Sequence, residues 1–271
     1  MGAPHADGTV GKALSLLDTV AAYGRPVRFA ELLENSIHPK ATLYRLLQTL
    51  TNQGMLAYDT ETHSYTLGLR LMRLAHSAWK QAALAPFART YLDRLSQHIG
   101  ETVHLAQLDH GQVLYVDKRN ARRPISMFSD AGKVGPGYCT GVGKAMLAFL
   151  DDDLQAVALQ HQSYFPHTPT THASPDSLRA ELRDIRESGI AFDREEHEAN
   201  IICVALPILS STGKPLGAIS VTSSTARHSL DQLATFAPAI RETAQAIARD
   251  AQTPAFPATP VTPSFRNKET P

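Results

Sequence analysis

The sequence predicts an α+β fold whose first part is a winged helix-turn-helix, and three observations support this. Apolar residues recur with a helical period in three short segments within residues 9–54, separated by Gly, Pro and Asn-Ser breaks. Two strand-like runs follow, 55–58 and 65–67, and the polar turn between them predicts a hairpin. After Gly100 the period alternates between strand and helix, which predicts a second, mixed α+β domain.

The second domain is predicted from its turns, caps and periodic segments. Two strand-like runs flank the turn His110-Gly111, which is typical of a hairpin. One helix is predicted between the cap Ser174 and the stop Gly189, and another where a glycine-rich run leads to Leu150. The remaining predicted elements are helices over 69–83, 87–99 and 230–251, the last interrupted at Pro238, and strands over 125–128, 202–209 and 216–222.

Composition narrows the class of protein. Of 271 residues, 43% are hydrophobic and 19% charged, as in soluble globular proteins. The 26 basic and 26 acidic residues cancel, so nucleic-acid binding must be judged from the local distribution of charge. Two cysteines are too few for a disulfide framework, no apolar run reaches the roughly 20 residues of a membrane span, and no secretory signal is evident. We therefore predict a cytoplasmic protein that is not bound to a membrane.

The third predicted helix presents polar side chains opposite its leucines. Leu43, Leu46, Leu47 and Leu50 stand at i, i+3, i+4 and i+7, which predicts one buried face. At 100° per residue the opposite side carries small residues and hydrogen-bond donors, as a helix in a DNA major groove requires. The candidate DNA-contacting residues are Pro39, Lys40, Ala41, Thr42, Tyr44, Arg45 and Gln48.

An ordinary solvated helix face would explain the same pattern, and the distribution of acids bears on the choice. No Asp or Glu occurs between Glu34 and Asp59, or between Glu61 and Asp93. Acids are thus missing where DNA phosphates would approach, which favours the DNA-binding interpretation, although the wing loop itself is acidic. The basic residues in these two gaps are Lys40, Arg45, Arg70, Arg73, Lys80 and Arg89.

Five motifs follow one another along the chain: PKATLYRLLQTLTNQGML, TETHSYTLGLRL, YCTGVGKAMLA, GIAFDREEHEANIICVALPI and GKPLGAISVT. In the same order they resemble motifs of the isocitrate-lyase-regulator (IclR) family of bacterial transcription factors. The first two resemble the family's recognition helix, wing and linker entry, the third its effector-loop signature, and the last two its C-terminal signatures. The resemblance covers roughly residues 9–250. It implies an N-terminal winged helix-turn-helix joined by a linker helix to a GAF-like α/β effector-binding domain.

The resemblance also implies a domain organisation and a set of partners. The expected segments are a disordered N-terminus (1–8), the DNA-binding domain (9–68), the linker helix (69–84), the effector-binding domain (85–251) and a disordered proline-rich tail (252–271). Such a protein binds palindromic double-stranded operator DNA as a dimer or tetramer. It senses a small carboxylate, either an aliphatic oxo acid or an aromatic acid. Neither a cofactor, nor a metal, nor enzymatic activity is implied.

The segment GYCTGVGKAMLAFL predicts a helix N-terminus that could receive a carboxylate. Thr140 can cap a helix whose unpaired N–H groups favour anions, and Gly141 and Gly143 would let a ligand approach the backbone. A tight packing turn would explain the same glycines. Carried over from the family by position, the effector contacts are Gly141, Val142, Asp193, Ile201, Cys203, Ser220 and Thr222, with Met127 and Val134 as apolar wall.

The sequence departs from the family pattern near this site. Asn200 and Ile202 stand where the family more often has a glycine and an arginine, and Tyr138 stands where many members have a histidine. Ser220 and Thr222 would hydrogen-bond a ligand from one strand face, although plain strand residues would show the same alternation.

Other reactive side chains are given a structural interpretation. Cys139 and His104 would make a nucleophile–base pair, but no protease or amidase signature surrounds them. The acidic run 195–198 around His197 could hold a metal, yet such runs are usually solvated. An enzyme acting on a small carboxylate and a DNA-binding protein without a ligand remain the alternative functions. Three further histidines fit no zinc spacing and are expected at the surface: His161, His167 and His172.

Overall fold

The structure, a computed structural model, describes residues 8–81 and 84–252. The chain divides into two compact units, Met1–Ala82 and Ala83–Pro271, and the division falls within the predicted linker of 69–84.

The ends predicted to be disordered lie almost wholly outside the described residues. Their innermost residues are the exception, because Gly8 and Gln252 already belong to helices. Residues 82 and 83 of the predicted linker also lie outside the described part of the chain.

The first unit is a winged helix-turn-helix, as predicted. Its elements are α1 (Gly8–Ala22), β1 (Val27–Arg28), α2 (Phe29–Glu34), α3 (Lys40–Asn52), β2 (Leu56–Asp59), β3 (Ser64–Leu67) and α4 (Leu69–Gln81). The three strands form an antiparallel sheet in the order β1-β3-β2, in which Leu56 pairs with Leu67 and Val27 with Tyr65. Strand β1 was not predicted, because two residues are too few to show alternation.

The leucine stripe of α3 lies in the core of this unit, as predicted. Leu43, Leu46, Leu47 and Leu50 are buried and pack in one cluster with Val20 and other residues of α1. Each fully buried leucine contributes about 1.5–3 kcal/mol to folding, so the rotation of α3 about its axis is strongly specified. The opposite side of α3 must therefore face solvent.

The second unit consists of α5 (Ala85–Ile99), β4 (Thr102–Asp109), β5 (Gln112–Arg119), β6 (Val134–Pro136), α6 (Gly141–Leu147), α7 (Asp152–Gln160), α8 (Pro175–Ser188), β7 (Ala191–Arg194), β8 (Ile201–Leu209), β9 (Pro215–Ser224), α9 (Leu230–Ala234) and α10 (Ala237–Gln252). Its strands form a six-stranded antiparallel sheet in the order β6-β5-β4-β9-β8-β7. Helices cover both sides of the sheet, since adjacent residues of one strand face different helices. Ala205 packs in a cluster with residues of α6 and α8, whereas Leu206 borders a groove with Ala244 of α10.

The strand predicted over 125–128 is wrong. This segment has no regular structure, and β5 pairs instead with β6, where Leu114 lies opposite Val134. The backbone N–H of Phe128 donates to a Glu198 carboxylate oxygen at 2.8 Å, so a side chain takes the place of a ladder partner.

At two prolines, Pro39 and Pro238, the helix start differs by one or two residues from the predicted position. Pro39 was expected at the first position of its helix and instead precedes it, with an extended ψ of 147°. The break in the C-terminal helix lies between Ala234 and Ala237 rather than at Pro238, which occupies the first turn of α10. A proline is well tolerated there because the first-turn N–H groups have no intrahelical partner.

No helix in the two described segments is both long enough and apolar enough to cross a bilayer.

Candidate functional site

The outward face of α3 is open to solvent. Tyr44 is 56% exposed, and Arg45 and Gln48 are also exposed, one helical turn or less away. Of the other candidate DNA contacts, Pro39, Lys40 and Ala41 are exposed and Thr42 is half-buried. The structure therefore places six of the candidates on one helix and Pro39 directly before it, with the long polar side chains exposed toward solvent.

One of the two acids of the wing, Asp59, opposes DNA binding less than the sequence indicates, because its carboxylate is hydrogen-bonded within the turn. Asp59 accepts hydrogen bonds from the backbone N–H groups of Glu61 and Thr62, at 2.8 and 3.3 Å, and these bonds lower the pKa of its carboxyl. Its charge is thus engaged within the turn that β2 and β3 share. Glu61 stays exposed at the tip of the wing.

The second unit holds a small polar cavity beside the N-terminus of α6. Seven of the nine predicted effector contacts line it, and Met127 and Val134 do not. Val134 lies on β6 and is 52% exposed, so it cannot form part of a buried apolar wall. The lining residues are His104, Tyr115, Ser129, Thr140, Gly141, Val142, Asp193, His197, Glu198, Ile201, Cys203, Ser220 and Thr222.

The cavity volume of about 30 Å³ has room for one or two water molecules. An aromatic or oxo acid occupies several times that space. A ligand of either class would therefore require side chains or the loop over 195–200 to move.

Strand register explains why residues far apart in sequence meet at this cavity. Asp193 on β7 lies opposite Cys203 on β8, which lies opposite Thr222 on β9. In the neighbouring row, Ser220 on β9 lies opposite His104 on β4. Side chains two residues apart on a strand share one face, so both rows point toward α6.

His104 lines the cavity and was missed as a ligand-site residue. Its Nε2 lies 2.9 Å from the Ser129 hydroxyl, and its Nδ1 lies 3.4 and 3.3 Å from the hydroxyls of Ser220 and Thr222. Burial, with help from the charge of Lys118, lowers the pKa of His104 to about 3. The ring is therefore neutral at physiological pH, with one nitrogen available as an acceptor.

Asp193 is a buried carboxyl group that keeps its proton. Only 6% of the residue is exposed, and its Oδ1 accepts the backbone N–H of Glu196 at 2.8 Å. Burial, together with the negative charge of Glu196, raises the pKa of Asp193 to about 8. At neutral pH this carboxyl group can therefore donate a hydrogen bond.

Cations are absent from the lining of this cavity. Among the described residues that surround it there is no Lys or Arg, and Ile202, a position singled out in the sequence, borders a different groove with Arg194 and His228. A carboxylate bound here would be met by neutral donors, namely hydroxyl groups, the protonated Asp193 and backbone N–H groups.

The glycines of the effector loop are required by packing. Thr140 caps α6 as predicted, accepting the N–H of Gly143 at 3.3 Å. A Cβ added at Gly141 would overlap Cys203 Sγ and stand 3.3 Å from Ala205 Cβ, and one at Gly143 would overlap the Gly137 carbonyl oxygen. The packing explanation therefore holds for both glycines, whatever approaches the helix from the cavity.

A buried ion cluster lies next to the cavity, and two of the predictions about its residues were wrong. Lys144 is fully buried and donates to both oxygens of Glu181, at 2.9 and 3.0 Å, and to Glu196. His172, expected at the surface, is half-buried with Nε2 at 2.5 Å from Glu181. Glu196, expected in a solvated run, is 2% exposed.

The electrostatics of this cluster disfavour a metal ion. Burial alone would raise the pKa of Glu181, but hydrogen bonds from His172, Lys144 and Arg194 outweigh it and lower that pKa to about 2. His172, Glu181 and Glu196 place ligand atoms within 4.8 Å of one another, a spacing that suits a metal. The Lys144 ammonium and the Arg194 guanidinium together already balance the two carboxylates, however, and would repel a further cation.

The cluster and the cavity share the loop over 195–200. Thr168 and Thr171 donate to the carbonyl groups of Glu195 and Glu196, both at 2.6 Å, and hold the loop from outside. Asn200 has a φ of 66°, a left-handed conformation that Gly adopts freely and Asn tolerates. Asn200 therefore adopts a backbone conformation that a glycine at this position would also adopt.

The environment of Cys139 excludes the nucleophile–base pair considered from the sequence. Cys139 is completely buried, and burial raises the pKa of its thiol, so the thiolate that attack requires is not formed. Both nitrogens of His104 face hydroxyl groups.

Comparison with known proteins identifies the family. The profile described as "Bacterial transcriptional regulator IclR C-terminal" matches residues 76–249, and the "IclR helix-turn-helix domain" profile matches residues 9–60. The chain is 30% identical over 241 residues to the HTH-type transcriptional regulator KdgR of Escherichia coli (strain K12), covering 88% of this chain and 92% of that one.

Solved structures of similar proteins have the same fold as this chain. The Thermotoga maritima IclR structure matches with a TM-score of 0.72 at 27% identity, covering 90% of this chain and 98% of that one. An IclR homolog from Microbacterium hydrocarbonoxydans, complexed with 4-hydroxybenzoate, matches with a TM-score of 0.77 at 21% identity, covering 90% and 99%, and shows the same fold. This chain therefore belongs to the IclR family of bacterial transcriptional regulators, proteins with a DNA-binding helix-turn-helix and a C-terminal effector domain, which are not enzymes.

Proposed function

We propose that this protein binds a palindromic operator as a dimer or tetramer and releases or rearranges on it in response to a small organic acid. The observation that carries the proposal is the solvent-exposed, donor-rich face of α3, opposite four buried leucines. A regulator of this kind acts in the cytoplasm, where its operator lies.

The DNA-contacting roles follow from the side chains on α3. Arg45 and Gln48 have the donors and reach to read base edges, whereas Lys40 and Thr42 lie near the helix N-terminus and suit phosphates. A two-fold symmetric dimer would place two such helices in half-sites about one helical turn, roughly 34–36 Å, apart.

The effector is proposed to bind in the cavity beside α6. The proposed contacts are Gly141, Val142, Asp193, Ile201, Cys203, Ser220 and Thr222, to which His104 is added. A ligand carboxylate would accept hydrogen bonds from Asp193 and the strand hydroxyl groups, with no ion pair to an arginine or lysine. The ligand must enlarge the cavity. We expect the loop over 195–200 to move when it does so, and this movement would change the contacts of the loop with the rest of the unit.

The small cavity favours a second candidate, a DNA-binding regulator without a ligand. At about 30 Å³ the space suits bound water as well as part of an effector. The two candidates share the operator-binding function and differ only in the role of the second unit.

One pair of experiments separates these possibilities. The purified full-length protein is first used to select duplexes from a random DNA pool, and enrichment of a palindrome supports the operator-binding function. A thermal-shift panel of short oxo acids and aromatic acids, including 4-hydroxybenzoate, is then applied, because a ligand of the native state must raise its melting temperature. Enrichment without any thermal shift would favour the ligand-independent regulator, and failure to enrich any sequence would refute both.

A further inference from the structure

The first unit carries an aromatic concavity between α3 and the wing. Its volume is about 640 Å³, and it opens directly to solvent. It lies on the face proposed to meet DNA, since three of its residues, Lys40, Ala41 and Tyr44, are among the candidate contacts of α3. The lining residues are Phe29, Lys40, Ala41, Tyr44, Tyr58, His63 and Tyr65.

The rings of this concavity form a supported surface. Phe29 packs edge-on against Tyr44 with centroids 6.3 Å apart, and Tyr58 lies 4.8 Å from Tyr65. The Tyr58 hydroxyl is 3.0 Å from Nδ1 of His63, which fixes the wing side of the concavity. Tyr44 and Tyr58 nevertheless remain 56% and 40% exposed. A contiguous exposed aromatic surface of this kind marks an interaction site.

The surrounding charge favours a polyanion as the occupant. Lys40 lines the concavity, and Arg45 is exposed next to Tyr44 on the same helix. No acid occurs along the chain between Glu34 and Asp59, and Asp59 is hydrogen-bonded to the backbone of its own turn. The apolar surface is thus bordered by cations on its α3 side, as expected where DNA phosphates flank a base-reading helix.

We propose that this concavity receives the 5-methyl groups of thymines in the operator, so that Ala41 and Tyr44 determine a preference for T at defined positions. This inference rests on the proposed operator-binding function. In the major groove thymine alone presents a methyl group, which small and aromatic side chains contact. Ala41 and Tyr44 are one turn apart near the start of α3, the part of a recognition helix that meets base edges, and Arg45 and Gln48 stand beside them for hydrogen bonding.

Replacement of thymine by deoxyuridine tests the proposal, because it removes the methyl group and leaves every hydrogen-bonding group unchanged. The operator is first obtained by selection with the full-length protein. Each thymine of one half-site, and its symmetry mate, is then replaced in turn, and the dissociation constant is measured by fluorescence anisotropy. Burial of one methyl group corresponds to about a fourfold change in affinity, so at least one position is expected to weaken binding about fourfold per half-site.

Two variants assign the effect to the concavity. Tyr44→Ser removes the ring from an exposed position and is expected to bind the thymine and deoxyuridine operators equally. Tyr44→Phe keeps the ring and is expected to retain the discrimination.

The outcomes separate failure of this inference from failure of the proposed function. Equal affinity of the wild type for both operators would overturn the inference while leaving operator binding intact, and would assign the surface to another occupant, such as a protein. Undiminished discrimination in Tyr44→Ser would show that the methyl group is read elsewhere, which also overturns the assignment. If no operator is enriched at all, the proposed function itself fails.

Discussion

Replacement of Asp193 by asparagine should make the second unit more stable, and increasingly so as the pH rises. The substitution preserves shape and leaves an oxygen to accept the Glu196 N–H, but it removes the group that burial and Glu196 make costly to ionise. The difference in stability between wild type and variant therefore reports the ionisation of one buried carboxyl group, that of Asp193.

The magnitude follows from the difference between the folded and unfolded pKa values. In the unfolded chain Asp193 has a pKa of about 4, whereas in the folded chain its pKa is raised to about 8. Below pH 4 both states hold the proton. Between pH 4 and pH 8 only the folded state does, so each pH unit lowers the wild-type free energy of unfolding by about 1.4 kcal/mol. Asparagine removes this loss, which reaches about 4 kcal/mol at pH 7 and levels off above pH 8.

Thiol labelling gives a probe confined to the second unit. The chain has two cysteines, Cys139 and Cys203, and both are buried in that unit. Short pulses of a pyridyl disulfide, a reagent that modifies thiols at acidic as well as neutral pH, across a urea gradient at pH 5, 6, 7 and 8 report its unfolding in wild type and variant. The stability advantage of Asp193→Asn should grow by about 1.4 kcal/mol per pH unit. An advantage that does not change with pH would refute the argument, since it would mean that Asp193 ionises equally in the folded and unfolded chain.

Three further predictions concern the same unit. Gly141→Ala should destabilise it by about 1–3 kcal/mol through overlap with Cys203 Sγ, and the double variant with Cys203→Ala should recover part of that loss in the same labelling assay. No recovery would place the strain elsewhere. Lys144→Met should cost about 3–5 kcal/mol because it leaves the buried Glu196 carboxylate without its lysine and Glu181 with Arg194 alone, and a loss below 1 kcal/mol would contradict the buried ion cluster. Affinity for an acid found by thermal shift should fall as the pH rises through about 8, where Asp193 becomes charged; calorimetric titrations at pH 7 and pH 9 that agree would contradict this.

Local periodicity was sufficient for the winged helix-turn-helix and for the outward face of α3. The four leucines of α3 determine which side is buried, and neighbours along the chain supply most of the packing. The caps of α6 and α8 were likewise predictable, because Thr140 and Ser174 bond N–H groups within their own first turns. These features depend on residues close together in sequence.

The misplaced features depend on pairings that no local pattern encodes. His104 enters the cavity because β4 pairs with β9, more than a hundred residues away, and only that register puts it beside Ser220. Glu196 has the sequence context of a solvated acid and is buried because Lys144 reaches it from α6. The segment 125–128 loses its strand character because Glu198 supplies the partner of the Phe128 N–H.

The outward face of α3 as the DNA-binding surface is the central claim, and one measurement tests it most directly. Affinity for a selected operator is measured for wild type, for Arg45→Ala, and for Arg183→Ala, a matched loss of an exposed arginine on α8. Arg45→Ala should lose about 1–3 kcal/mol of binding free energy, whereas Arg183→Ala should bind as wild type does. Equal binding by all three proteins would contradict the claim.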